Sequence, residues 1–155
     1  MSIKVGTALP EFTAHATSGK TITLSELAGK KVVIYFYPKD HTPGCTTEGH
    51  DFRDMHPEFL AADTLVFGVS RDSLRTHENF RAKHDFPFEL ISDADETLCR
   101  VFDVIRQKQL YGKQYEGIER STFLIDREGV LRREWRKVKV PGHVAEVLEA
   151  ARELD

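Results

Sequence analysis

The sequence predicts an α/β fold: a central mixed β-sheet with helices on both faces and a β-hairpin near the N-terminus. Three observations predict it. The run Val32-Val33-Ile34-Tyr35-Phe36-Tyr37 is apolar throughout, rich in β-branched and aromatic residues, and without helical periodicity. That is the pattern of a strand buried on both faces, as in a parallel sheet. Strand-like and helix-like segments then alternate, and the chain closes with a second hairpin followed by an amphipathic helix.

The elements follow in order. Phe12 to Thr17, the turn Ser18-Gly19-Lys20 and Thr21 to Leu24 read as a small hairpin. Ser25 caps one helical turn, Glu26 to Ala28, which Gly29 ends. Pro38 cannot donate to a sheet ladder and closes the central strand. A loop to Thr42 hands over to a helix, with Thr42 as N-cap and Pro43 at the first helical position. Pro57 is expected to break or restart this helix near Met55-His56. Thr64 to Ser70 is the second buried strand, and Ser73 opens a charged helix reaching His84. Pro87 leads into a strand from Phe88 to Ile91, and Glu96 to Phe102 forms a helix. Arg106 to Glu119, with Gly112 and Gly117, reads as a loop. Ser121 to Ile125 is a strand, Asp126 to Gly129 a turn, and Val130 to Val138 the antiparallel partner. Gly142 opens the last helix, whose apolar face is Val144, Val147, Leu148 and Ala151.

With 155 residues the chain is expected to form one domain, residues 1–155, with a substantial core. A net charge of −3 argues against nucleic acid or an anionic membrane as the main partner. Met1-Ser2-Ile3-Lys4 lacks an apolar signal core, and no apolar run reaches membrane-spanning length. With only Cys45 and Cys99, the chain is no disulfide scaffold, and the cytoplasm is the expected location.

The chemistry concentrates at Cys45. With Thr42 as N-cap, Cys45 is the third helical residue, where unpaired backbone N–H groups and the helix dipole favour an anion. A cysteine so placed can react as thiolate at neutral pH. An inert buried thiol is the alternative for any lone cysteine, and the strand–loop–helix setting argues against it here.

Pro38, Thr42 and Cys45 form the Pro-x-x-x-Thr/Ser-x-x-Cys signature of peroxiredoxins, and the surrounding residues sharpen the likeness. Tyr35-Phe36-Tyr37-Pro38-Lys39-Asp40, Thr42-Pro43-Gly44-Cys45-Thr46 and Phe52-Arg53-Asp54 resemble the bacterioferritin comigratory protein, or peroxiredoxin Q, branch. A second block, Gly117 to Asp126, resembles the segment that carries the family's active-site arginine. The resemblance spans roughly Val5 to Leu148. It implies a thioredoxin-like fold and a thiol-dependent peroxidase acting on hydrogen peroxide and small organic hydroperoxides, without metal or prosthetic group.

The resemblance also assigns roles. Cys45 is the nucleophile, Arg120 a guanidinium clamp, and the Thr42 hydroxyl and Cys45 N–H are donors. Pro38 walls the pocket, and Glu48 orients the arginine. Without the family, Arg120 is equally a solvated strand-edge charge and Glu48 a carboxylate serving the helix dipole. Arg53 either adds positive potential or pairs with a surface acid. Many members carry a resolving cysteine five residues after the first, where this chain has His50. Others carry it on the next long helix, and Ser73 to His84 contains none. Cys99 is the one internal candidate, and it flanks the apolar stripe Leu98, Val101, Phe102 and Ile105. The expected reductant is therefore an external thiol: thioredoxin, glutaredoxin or glutathione. An intramolecular Cys45–Cys99 disulfide is the alternative, and a noncatalytic redox sensor or holdase is the rival from another class. The expected assembly is a monomer or weak homodimer.

No other chemistry is marked. His77-Glu78-Asn79-Phe80-Arg81 has arginine where a zinc-protease motif needs its second histidine. Cys45-Thr46-Thr47-Glu48 lacks the second cysteine of a disulfide reductase, and no phosphate-binding glycine loop occurs. The lone Trp135 reads as packing.

Overall fold

The computed structural model describes residues 3–155; Met1 and Ser2, part of the stretch read above as lacking a signal core, lie outside it. The apolar run forms β3 (Lys31–Phe36), and all six of its residues are buried. It pairs in parallel with β4 (Thr64–Ser70), which pairs in parallel with β5 (Leu90–Ser92). On its other edge β3 meets β8 (Ser121–Ile125) antiparallel, and β8 meets β9 (Leu131–Trp135) antiparallel. The N-terminal hairpin, β1 (Thr13–Ala16) and β2 (Thr21–Thr23), extends the sheet beyond β5. The order β2-β1-β5-β4-β3-β8-β9 makes a seven-stranded mixed sheet with β3 inside it.

Because side chains alternate across a strand, β3 feeds two separate cores. Val33, Tyr35 and Tyr37 face α1 (Pro43–Ala61), α2 (Leu74–His84) and α4 (His143–Glu153), in a core with Phe52, Phe59, Phe80 and Val147. Val32, Ile34 and Phe36 face the opposite side, where α3 (Thr97–Val101) packs with Leu98, Cys99 and Phe102. Lys31 is buried at the start of β3, and its ammonium donates to the Ala151 and Leu154 carbonyls at 2.6 and 2.8 Å. It thereby gives the carbonyls at the end of α4 a side-chain donor.

Two expectations need correction. Pro57 does not break the helix: α1 runs unbroken from Pro43 to Ala61. Pro57 is exposed, while Phe52, His56 and Phe59 on either side of it are buried. Burying two phenylalanines contributes about 1.5–3 kcal/mol each, enough to offset the roughly 3 kcal/mol cost of an interior proline. The segment read as a loop is a second hairpin, β6 (Ile105–Leu110) and β7 (Lys113–Ile118), forming its own two-stranded sheet. Its turn is Tyr111-Gly112, with φ of 52° and 78°. Positive φ at both central residues matches the twist of paired strands.

Smaller shifts occur elsewhere. The helical turn after β2 is Leu24–Leu27 and is not capped by Ser25. β5 starts two residues later than expected, and β9 ends at Trp135.

Gly49 is fixed by packing. A Cβ there would lie 2.4 Å from Cζ of Phe86, inside the aromatic core. Gly49→Ala is expected to destabilise the protein by about 1–3 kcal/mol, because overpacking outweighs the helix propensity gained. A denaturant midpoint equal to or above wild type would show that Phe86 yields freely.

Candidate active site

The site is assembled at one end of the central sheet, where Phe36 at the end of β3 pairs with Ser121 at the start of β8. Thr42 is the residue before α1, as expected, and Cys45 is the third residue of that helix. Its side chain is 3% exposed. The Thr42 hydroxyl does not cap the helix; it donates to the Lys39 carbonyl at 2.7 Å. Pro38, half-buried, stands in the loop two residues past the end of β3.

Arg120 stands between β7 and β8 and reaches back to α1. One guanidinium nitrogen donates to Glu48 Oε1 at 2.6 Å, and the other lies 3.4 Å from Cys45 Sγ. Its side chain is 16% exposed, so it is no solvated strand-edge charge. Burial works against its charge, but Glu48 and Cys45 more than offset this and hold its ionisation above the ordinary range. Gly44 makes room, since a Cβ there would lie 3.2 Å from the same guanidinium nitrogen that faces Cys45.

Glu48 lies one turn beyond Cys45 on the same face of α1, and it is fully buried. Oε1 accepts from Arg120, and Oε2 has no hydrogen-bond partner among the described residues. Burial pushes its carboxyl up from 4.5 to about 7; Arg120 opposes the shift, and the charge of Asp51 adds to it. The folded protein therefore binds this proton more tightly than the unfolded chain. Stability from this group is present below pH 4.5 and is lost as pH rises through about 7. The loss amounts to about 3 kcal/mol. Relative to Glu48→Gln, wild type is expected to lose about that much stability between pH 4 and 8. Parallel stability–pH curves for the two proteins would contradict it.

The hairpin missed in the sequence contributes Lys108, whose ammonium donates to the Ile118 carbonyl at 2.6 Å. Burial and the charge of Arg120 lower its ionisation, while Cys45 opposes them, which sets Lys108 beside the site. Its β6 position, opposite Tyr115, carried no readable signal in a mostly polar run.

The loop between β3 and α1 is held from below. Tyr37 donates to Asp40 Oδ1 at 2.6 Å, and His77 Nδ1 meets Asp40 Oδ2 at 2.5 Å. His77 Nε2 lies 2.9 Å from the Ile91 carbonyl, so both ring nitrogens are engaged. The Asp40 N–H donates to Asp72, whose same oxygen accepts from Ser70. Among the described residues, Asp40, Asp72 and His77 are the one set of side chains with metal-like spacing. Their facing atoms are engaged with one another and with Tyr37 and Ser70, the arrangement of a hydrogen-bonded brace for the loop.

Cys99 is elsewhere. It is completely buried in the core on the opposite side of the sheet from Cys45. Burial, with the nearby Asp93 carboxylate, pushes its thiol far above the usual range. The Cys99 N–H donates to Asp93 Oδ2 at 2.7 Å. His50, at one usual resolving position, pairs with His84 at 2.9 Å. On the next long helix, where others carry it, Arg81 donates to the Phe88 carbonyl. Arg53 pairs with Asp54 and donates to the His84 carbonyl, so the surface-acid reading of that residue holds.

Comparison with known proteins shows the family. The AhpC/TSA family matches residues 5–134. Peroxiredoxin Bcp of Bacillus subtilis is 50% identical over 154 residues, covering 99% of this chain and 98% of that one. Peroxiredoxin Bcp of Xanthomonas campestris is 58% identical over 134 residues, covering 86% and 84%. The chain belongs to the AhpC/TSA family, in its peroxiredoxin Bcp branch. A solved Xanthomonas campestris bacterioferritin comigratory protein, described for alkyl peroxide reduction and a trapped intermediate/ligand complex, superposes with a TM-score of 0.89. It is 51% identical, covering 95% of this chain and 98% of that one. The fold is the thioredoxin-like fold of the peroxiredoxins. As a peroxiredoxin the chain is a peroxidase, with a peroxide as substrate and a thiol as reductant. No helix among the described residues is long and apolar enough to cross a membrane.

Proposed function

We propose that this peroxiredoxin is a single-domain cytoplasmic peroxidase that reduces hydrogen peroxide and small organic hydroperoxides through a sulfenic acid at Cys45, which an external thiol then resolves. The observation that carries the reading is the Cys45–Arg120–Glu48 contact, with a guanidinium 3.4 Å from the sulfur. Cys45 thiolate attacks one peroxide oxygen, the O–O bond breaks, and negative charge grows on the departing oxygen. Arg120 faces both the thiolate and that charge, so it acts more strongly in the transition state than in the ground state. The Cys45 N–H, free at the third helical position, is a second donor. The Thr42 hydroxyl, expected as a donor to the peroxide, instead gives its proton to the Lys39 carbonyl, which leaves its oxygen to accept from the peroxide O–H. Pro38 walls the pocket, and Glu48 holds one edge of the guanidinium. This chemistry asks for no metal or prosthetic group. The expected assembly is a monomer or weak homodimer.

Resolution by an external thiol draws support from Cys99. A disulfide needs Cα atoms within about 7 Å, and the sheet stands between the two sulfurs' cores. Thioredoxin, glutaredoxin and glutathione are the candidate classes. Steady-state peroxide consumption with each as electron donor tests the reading. Continued turnover with at least one is expected, whereas a single stoichiometric oxidation that then stops would make the protein a sensor.

A further inference from the structure

Glu48 is unusual for a residue whose task is to orient an arginine. It is fully buried, with one oxygen on Arg120 and the other without a partner among the described residues. The site thus places two groups able to carry negative charge, the Cys45 sulfur and the Glu48 carboxyl, against a single guanidinium. One buried cation offsets one anion; a second anion in the same low-dielectric space is costly unless it takes a proton. An unpartnered oxygen suits a carboxylic acid better than a carboxylate.

We propose that Glu48 and Cys45 share one negative charge across Arg120, Glu48 holding a proton while Cys45 is thiolate and giving it up as that charge is consumed. This rests on Cys45 being the nucleophile. The balanced step is Cys45–S⁻ + Glu48–COOH + ROOH → Cys45–SOH + Glu48–COO⁻ + ROH. The S–O bond forms and the O–O bond breaks, the sulfur is oxidised and the peroxide reduced. The proton of Glu48 makes up the one that the departing oxygen, a far stronger base than a carboxylate, requires. Arg120 keeps one anionic partner throughout: the thiolate before the step and the carboxylate after it.

The surroundings agree. Tyr35 on β3 lies near Glu48 and is pushed far up by burial, so it stays neutral. Asp51 on α1 adds a repulsive negative charge, and Arg120 is the positive charge in contact. Lys108 feels the charges of both Arg120 and Cys45, but its ammonium is bonded to the Ile118 carbonyl and touches neither Glu48 nor the sulfur. His143 lies close enough to Arg120 to feel its charge, and burial holds it neutral down to about 4. Burial already places the Glu48 carboxyl at about 7, within reach of such a switch.

Infrared spectroscopy of the intact protein at pH 6 tests this without relying on turnover. Reduced wild type is expected to show a buried protonated-carboxyl C=O band that is absent in Glu48→Gln. The band should vanish when one equivalent of hydrogen peroxide oxidises Cys45, and it should be weak in Cys45→Ser, where Arg120 has only Glu48 to pair with. A band of equal strength in reduced wild type, oxidised wild type and Cys45→Ser would overturn the proposal, since burial alone would then hold the proton. No band in reduced wild type would overturn it equally. Failure of peroxide to oxidise Cys45 at all would instead sink the nucleophile assignment. Kinetics give a second arm. In Glu48→Gln the side-chain amide oxygen can still accept from Arg120, so a purely orienting role predicts one constant ratio of wild-type to variant rates. Proton supply predicts a ratio of about tenfold or more at pH 6 that narrows as pH passes 8. A ratio independent of pH would contradict it.

Discussion

Cys45→Ser is expected to abolish peroxide turnover. An alcohol does not ionise near neutral pH, and its oxygen is a poor nucleophile toward a peroxide, so neither Arg120 nor the helix N-terminus can compensate. The fold should survive, because serine is close in size and the buried stripe Phe52, His56 and Phe59 anchors α1 independently. Cys99→Ser should leave the first oxidation step near the wild-type rate, since that thiol lies in the other core. Stopped-flow oxidation of the two variants separates them. Turnover in Cys45→Ser together with its loss in Cys99→Ser would reverse the assignment.

Arg120→Met should slow peroxide attack on the order of 10²-fold or more, the scale of deleting one oxyanion donor. Methionine removes the positive charge that favours thiolate, and also the donor facing the developing oxyanion. It leaves Glu48 without its one hydrogen-bond partner, which further favours the neutral acid. Arg120→Lys should recover only part of the rate. An ammonium is a point charge and cannot contact Glu48 and Cys45 along one planar edge as the guanidinium does. The second-order rate with hydrogen peroxide is the measurement, and an unchanged rate in Arg120→Met would remove this residue from the site.

Much of this was legible in the sequence, for identifiable reasons. β3 was readable because both of its faces are buried, which leaves no charged residue between Val32 and Tyr37. The position of Cys45 was readable because Thr42 and Pro43 mark the start of a helix by backbone chemistry alone. The β6–β7 hairpin was not, because it packs on itself with mostly exposed side chains and so lacks apolar alternation. Its turn also has Tyr111 where asparagine or glycine would signal positive φ. Pro57 misled because local backbone cost was weighed without the phenylalanines buried on either side. The burial of Glu48 had a signal that went unused. Cys45, Glu48, Phe52, His56 and Phe59 fall at spacings of three and four, so Glu48 shares the inward stripe. The Tyr37–Asp40–His77 brace had none, because it joins residues from separate elements.

Intact mass after one equivalent of peroxide tests the central claim most directly. Wild type is oxidised under nonreducing conditions and read at once, alongside Cys99→Ser. The expected product is an added oxygen on Cys45 with the Cys99 thiol still free, and the same added oxygen in Cys99→Ser. A rapid loss of two protons in wild type, mapped to a Cys45–Cys99 disulfide and absent in Cys99→Ser, would contradict it.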